Sequence, residues 1–390
     1  MKILMVLDHN YPTDQRVEKE IKTLINNNHE VVLACYSHQR KEKLYEKEGR
    51  LTIYRKPISN FRLKTSVAAL KFPFYFEFWK KFISDIITNE QIDAIHIHDL
   101  PLAEVGAFFK EKCSIPLVVD LHENWPASLE IAKHTNTPMG KLLSSNKQWR
   151  RYEQAILKKA DAIITVVEEM RDRIHALGIP KEKIHVISNT VDFSEFPKIS
   201  TSGPKEKNRF TLFYAGGINI HRGLQIVIKA LPEILKELPN VEFLILGNGS
   251  YKKELKDLVH QLEIDEHVHF LGHKNFEEMI KILSRSDIAL IPHLRSEQTD
   301  CSSPNKLYQY IYTGKPILTS NCISLERLVN ETRSGLSYQH DSPESFKNAL
   351  IDLMNNQKQK VDLNFANEKL KEKYNWKVDA GRLCKLYNNL

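Results

Sequence analysis

Short apolar runs that suit buried strands alternate along the chain with longer stretches whose apolar residues return every three to four positions. "KILMVL", "RVEKEIKTLINNN" and "EVVLACY" set this rhythm, and it continues through "IDAIHIH", "PLAEVGAFFKEK", "PLVVDLH", "YEQAILKKA", "DAIITVV" and "KIHVISNTVD". Strand, helix and strand in succession predict a parallel sheet, so residues 1–193 read as one Rossmann-like domain. Periodicity is lost in "SEFPKISTSGPKEKN", residues 194–208, where Pro, Ser, Gly and Lys gather as in a linker. It restarts with "RFTLFYAGG", "LQIVIKALPEILKEL", "VEFLILGNG", "VHFLG" and "DIALIPH", giving a second domain over 209–365. Residues 366–390 read as a terminal helix that crosses back to the first domain. The expected fold class is α/β, with two Rossmann-like domains facing across a cleft.

Composition narrows the partners. A chain of 390 residues is long enough for two cores, and a net charge of +7 favours anionic ligands without requiring nucleic acid. Five scattered cysteines without a C-x-x-C pair predict neither disulfide nor zinc framework, hence a cytoplasmic protein. The opening "MKILMVLDHNYP" reads as a strand, not a signal segment. No run approaches the roughly 18 apolar residues of a membrane span, so any membrane contact is peripheral, at the inner face of the plasma membrane. Residues 40–82 mix lysines and arginines with Phe74, Phe76, Trp79 and other aromatics. That mixture suits a surface meeting anionic lipid; it equally suits aromatics packed in the core.

Candidate chemistry falls at strand ends. In "DCSSPNKLYQYIYTGKP", Ser303 is expected to cap a helix, Pro304 to take its first position and Gly314 to close it. Asn305, Lys306 and Leu307 would form a first turn whose amides and lysine receive a phosphate, with Gln309 one turn on. "YAGGINIHRG" adds Gly216, Gly217 and Arg222, "LGNGS" adds Gly247, and His273 and Lys274 of "FLGHKN" are placed to read a base edge. In the first domain, His96 and His98 share a strand face, while His98 and His122 end neighbouring strands with Asp99 close by. Asp14 and Arg16 open the first helix and can meet an acceptor; a capping aspartate and a solvated arginine fit them equally. Neither His98 nor His122 lies in a metal-ligand spacing, and no D-x-D stands near a strand end. The expectation is no metal, with Arg222, Lys306 and amides neutralising a diphosphate.

These motifs, in this order, resemble the family-4 retaining glycosyltransferases of GT-B fold over nearly the whole chain. The resemblance implies a nucleotide-sugar held by the second domain, His122 near the anomeric carbon, retention of configuration, and neither bound metal nor cofactor. It also implies two glutamates flanking the donor, and in this register those positions hold Cys301 and Gln309. Glu297 or Asp300 would then substitute from the preceding loop. Where the family usually has an arginine and a lysine, this chain has Gly217 and Arg222. The expected function is transfer of a sugar from a UDP- or GDP-sugar to a hydroxyl of a lipid-linked or cell-surface glycan precursor. Two rival readings are a nucleotide-sugar epimerase and a catalytically silent sugar-nucleotide-binding partner.

Overall fold

A parallel strand with helices above and below must be apolar on both faces, and the first run meets that demand. β1 (Lys2–Leu7) is buried from Ile3 to Leu7. The computed structural model describes residues 1–37, 42–131, 140, 143–196 and 209–390. Residues 40 and 41 of the basic, aromatic stretch and 197–208 of the expected linker lie outside the described residues.

Two compact units emerge, Met1–Ser188 with Asp379–Leu390, and Asn189–Val378. The first is built on β1, β2 (Glu30–Ser37), β3 (Tyr45–Glu48), β4 (Leu51–Pro57), β5 (Ala94–His98), β6 (Leu117–Leu121), β7 (Ala162–Thr165) and β8 (Ile184–Val186). They lie in the order β3-β4-β2-β1-β5-β6-β7-β8. All pairs are parallel except β3 with β4. That exception corrects the expectation of a uniformly parallel sheet, and its cause is local. Gly49, at φ 58°, makes a connection too short for a crossover, so the two strands can only run antiparallel.

The second unit carries β9 (Phe210–Ala215), β10 (Val241–Leu246), β11 (Val268–Gly272), β12 (Ile288–Ile291), β13 (Ile317–Ser320) and β14 (Gly335–Tyr338). Their order is β11-β10-β9-β12-β13-β14 and every pair is parallel. Each sheet therefore has one strand from which the order departs in both directions, β1 in the first and β9 in the second. Ligands of open α/β sheets bind beyond the carboxyl ends of strands at such a reversal. The reversals direct attention to the segments after β1 and β5, and after β9 and β12.

Three further expectations change. The start of the presumed linker is ordered: Phe193–Glu195 form a 3-10 turn, and the Phe193 ring stacks on Tyr312 at 4.4 Å. The terminal segment is two helices, Leu363–Glu372 and Trp376–Asn388, because the Asn375 side chain donates to the carbonyls of Leu370 and Lys371 and accepts from the amide of Val378. Its first helix buries Ala366 and Leu370 in the second unit's core, and the other joins the first unit from Asp379. Within 40–82, Phe76 and Trp79 are buried on the helix Phe74–Asn89, whereas Phe61, Phe72 and Phe74 are 80%, 48% and 63% exposed. Among the described residues no helix is long and apolar enough to cross a membrane.

Candidate functional site

In the second unit the ends of β9, β10 and β11 are laced together through backbone. Gly216 N–H donates to the Leu246 carbonyl, Ile218 N–H to that of Asn248, and Gly247 N–H to that of Gly272. A Cβ at Gly247 would stand 1.9 Å from the Gly216 carbonyl oxygen, and one at Gly223 would stand 1.7 Å from that of Pro292. Glycine at these two positions lets the loops after β9, β10 and β12 close on one another.

Two cations occupy the resulting hollow. Lys306 Nζ lies 4.2 Å from the centre of the Tyr214 ring, and a Cβ at Gly216 would come within 2.5 Å of that ammonium. Arg222 Nη1 donates to His293 Nε2 at 2.9 Å, while its buried Nε has no partner among the described residues. Burial first, then the neighbouring Arg222 guanidinium, holds the Lys306 ammonium well below its ordinary value; the same burial and cations do so for His293. No carboxylate among the described residues makes an ion pair with either cation. The helix Asn305–Tyr312 adds the amides of Asn305 and Lys306, whereas that of Leu307 donates to the Pro304 carbonyl at 3.0 Å, and the Asn305 Oδ1 atom is buried with no partner among the described residues. Concentrated positive charge, free amide donors and close backbone are the features an anion would need for binding.

The first unit gathers titratable groups at its own reversal. Arg16 is fully buried and grips Asp120 with two hydrogen bonds of 3.0 Å, Nε to Oδ2 and Nη2 to Oδ1. Its Nη1 donates to the Ile187 carbonyl, and Nε lies 3.1 Å from Glu20 Oε1. Asp120 Oδ2 stands 3.1 Å from His122 Nε2, and Asp14 Oδ2 and Asp99 Oδ2 each stand 3.8 Å from His122 Nδ1. Burial opposes charge on His122, but Asp99 and Asp120 outweigh it and raise the imidazole to about 10. Burial also opposes ionisation of Asp120, yet Arg16 and His122 hold it well below the usual carboxylate range. His122 is thus an imidazolium with both nitrogens donating. Its Nε2–H serves Asp120 and His98 Nδ1, 3.2 Å away, which leaves Nδ1–H toward Asp14 and Asp99. Burial, then His96, pushes His98 down to about 3, as its accepting role requires. Asp99 completes the cluster at φ 66° and ψ 154°, an unfavourable region for a residue with a Cβ, held by its amide bond to the Asp120 carbonyl.

The family model of glycosyl transferases group 1 matches residues 195–370, and that of glycosyltransferase family 4 matches residues 15–195. The chain belongs to the family 4, group 1 glycosyltransferases. A glycogen synthase of Mycobacterium tuberculosis is 26% identical over 251 residues, an alignment covering 63% of this chain and 56% of that protein. The chain therefore spans little more than half the length of that relative. Sucrose-phosphate synthase from Thermosynechococcus elongatus superposes with a TM-score of 0.79 at 14% identity, covering 100% of this chain and 98% of the other. The Anabaena protein HepE, solved in complex with UDP, gives a TM-score of 0.72 at 14% identity over the full length of both chains. The fold is GT-B.

Several residues of this family member sit differently from the sequence reading. Arg16 is neither solvated nor open to an acceptor, because it spends its guanidinium on Asp120, Glu20 and Ile187. His98 is 1% exposed, and its Nδ1 meets His122 Nε2 at 3.2 Å. Ser303 does not cap its helix: its hydroxyl pairs with the Tyr308 hydroxyl at 2.7 Å, and Pro304 takes the capping position, leaving Asn305 as the first helical residue. Leu307 is fully buried in the core and its amide donates to the Pro304 carbonyl, so it does not serve the helix start as expected. Asp300 is tied to the Ile323 amide at 2.8 Å and to Arg295, and Cys301 is buried. Gln309 is half-buried, Glu297 and His273 are exposed, and Lys274 is half-buried beyond Gly272 at φ 71°. Gly217 accepts the Tyr214 hydroxyl on its carbonyl at 2.8 Å.

The structure also adds residues that the sequence reading passed over. Asp120 stands two positions before His122, and that spacing on a strand was a usable signal. Burial, then Asp120, raises Glu20 to about 8, against the opposing pull of Arg16. Tyr387 reaches His96 Nδ1 at 2.7 Å from 291 positions away, a pairing without local signal. Asp8, at the end of β1, is bonded to the Tyr75 hydroxyl and raised to about 7 by burial. One atom each from Glu20, His96, His98 and Asp120 lie within 4.8 Å of one another, a spacing a metal ion would accept. Arg16 already pairs with both carboxylates of that group.

Proposed function

We propose that the protein transfers a sugar, with retention of configuration and without a metal, from a UDP- or GDP-sugar to a hydroxyl of a lipid-linked or cell-surface glycan precursor. The observation that carries this reading is the pair Lys306 and Arg222, brought together beside a helix start with no balancing carboxylate among the described residues. An uncompensated charge pair of one sign is costly in a partly buried site, and a bound diphosphate removes that cost. As the C1–O bond of the donor breaks, its electron pair stays on the diphosphate oxygen. The same two cations and amides then meet the charge where it develops. His122, charged and aimed through Nδ1–H, supplies a donor for sugar or acceptor oxygens, oriented by Asp120 and Arg16.

The test is nucleotide binding followed by turnover. UDP or GDP at about one hundred times its dissociation constant is expected to stabilise the protein by roughly 2.7 kcal/mol in thermal unfolding. A nucleotide-sugar panel with acceptor extracts in excess chelator is then expected to release nucleoside diphosphate only when acceptor is present. Absence of stabilisation by any nucleoside diphosphate would sink the donor site, and activity that vanishes with chelator would sink metal independence. Cys301 and Gln309, standing at the positions of the family's glutamates, favour one alternative, a silent nucleotide-sugar-binding partner. Binding without turnover against any acceptor would put that alternative first.

The same reading places the protein at the inner face of the plasma membrane. Exposed Phe61, Phe72 and Phe74 stand among basic residues, with the Arg62 guanidinium 5.0 Å from the Phe78 ring. Vesicles containing anionic lipid are expected to bind the protein at low salt and release it at high salt. Phe61→Ser with Phe74→Ser should abolish binding; equal retention on neutral vesicles would refute the assignment.

A further inference from the structure

A cavity of about 430 Å³ opens at the β8 edge of the first unit, between that strand and the helix Trp376–Asn388. None of its lining residues belongs to the histidine and carboxylate cluster or to the Lys306 and Arg222 site. We propose that this cavity binds a small phosphate monoester whose organic part is apolar.

The lining divides by chemistry. Ile184 and Leu386 supply an apolar wall, and Arg171, Arg382 and Lys385 supply three cations. Glu168 is the lining's only carboxylate, and Asp172 and Asp379 outside the lining form ion pairs with Arg171 and Arg382. Each arginine is steadied from outside the lining. Arg171 Nε donates to Asp172 Oδ1 at 3.0 Å, and Arg382 Nη1 donates to the buried Asp379 Oδ1 at 2.7 Å. A guanidinium has five N–H groups, so one bond fixes its plane and leaves donors for a second acceptor. Lys385 makes no hydrogen bond or ion pair among the described residues. His185, half-buried and kept neutral by that burial, offers a donor or acceptor without adding charge. Two held forks and one exposed ammonium match the several oxygens of a phosphate dianion. The apolar wall explains why an organic phosphate should be preferred over the bare ion. The volume falls within the range of small-molecule sites.

The test uses the full chain, with inorganic phosphate and phenyl phosphate as probes in calorimetric titration. Wild-type protein is expected to bind phenyl phosphate more tightly than phosphate. Arg222→Gln with Lys306→Gln should leave one phenyl phosphate site per chain. Arg382→Gln with Lys385→Gln should weaken that remaining site by at least about tenfold, the loss expected for a charge-assisted hydrogen bond. Circular dichroism establishes that each variant is folded; should the Arg382 variant fail, Lys385→Glu at an exposed position carries the same test. The proposal falls if phenyl phosphate binding disappears entirely with Arg222→Gln and Lys306→Gln, or if it is indifferent to Arg382 and Lys385. Because the two pairs of variants lie in different units, loss of one site leaves the other reading standing.

Discussion

His122→Ala is expected to lower turnover by about a hundredfold to a thousandfold, the usual cost of removing one preorganised donor to developing charge, while nucleotide affinity stays nearly unchanged. The division follows from placement: His122 belongs to the first unit, and Lys306 and Arg222 belong to the second. The sign of the pH dependence follows from the shift of His122 from 6.5 to about 10. Its folded value lies above its unfolded one, so its contribution to stability is complete below about pH 6.5 and is lost as pH rises through about 10. Turnover that depends on the imidazolium declines on that same alkaline limb. His122→Gln, which keeps a donor but not the charge, should recover part of the rate and lose the limb. Wild-type turnover in His122→Ala, or an alkaline limb that survives in His122→Gln, would remove the residue from the chemistry.

Lys306→Met and Arg222→Met, measured separately, are expected to weaken binding of the nucleoside diphosphate by about ten- to a hundredfold, as loss of a hydrogen bond between charged groups implies. Binding of the nucleoside without phosphates should hardly change. The unliganded protein should respond in the opposite sense for Lys306. Its ammonium is disfavoured by burial and by Arg222, so a methionine of similar length relieves a like-charge contact and leaves stability equal or higher. Loss of ligand binding without loss of stability separates a binding role from a structural one. If both variants unfold earlier and bind UDP as the wild type does, the two cations are scaffold and the anion site is elsewhere. Equal loss of affinity in His122→Ala would overturn the assignment of separate tasks.

Much of the architecture was written in local pattern. Runs such as "KILMVL" and "VEFLILGNG" are apolar on both faces, and only strands covered by helices on each side satisfy them. Gly216, Gly247, Arg222 and Lys306 could be singled out because strand ends and helix starts are local features with known chemistry. The strand β3 was missed because "YEKE" has no apolar face to betray it, and its pairing depends on a tight turn at Gly49.

What the sequence could not specify was which polar groups meet. Arg16 reads as a surface residue of a helix start, yet its partner Asp120 lies 104 positions away. Helix packing over the sheet removed its water and made the ion pair obligatory. The charge state of His122 is likewise a tertiary property. Three carboxylates from separate loops and strands converge on one ring, and their charge sets the sign of the shift against the opposing effect of burial. Ser303 shows the same limit in small: its type and position fit a cap, but the Tyr308 hydroxyl was nearer once the helix docked. Composition and periodicity determine where backbone goes, because hydrophobic burial depends on pattern alone. Electrostatics depends on distance and desolvation, and only the folded chain supplies those.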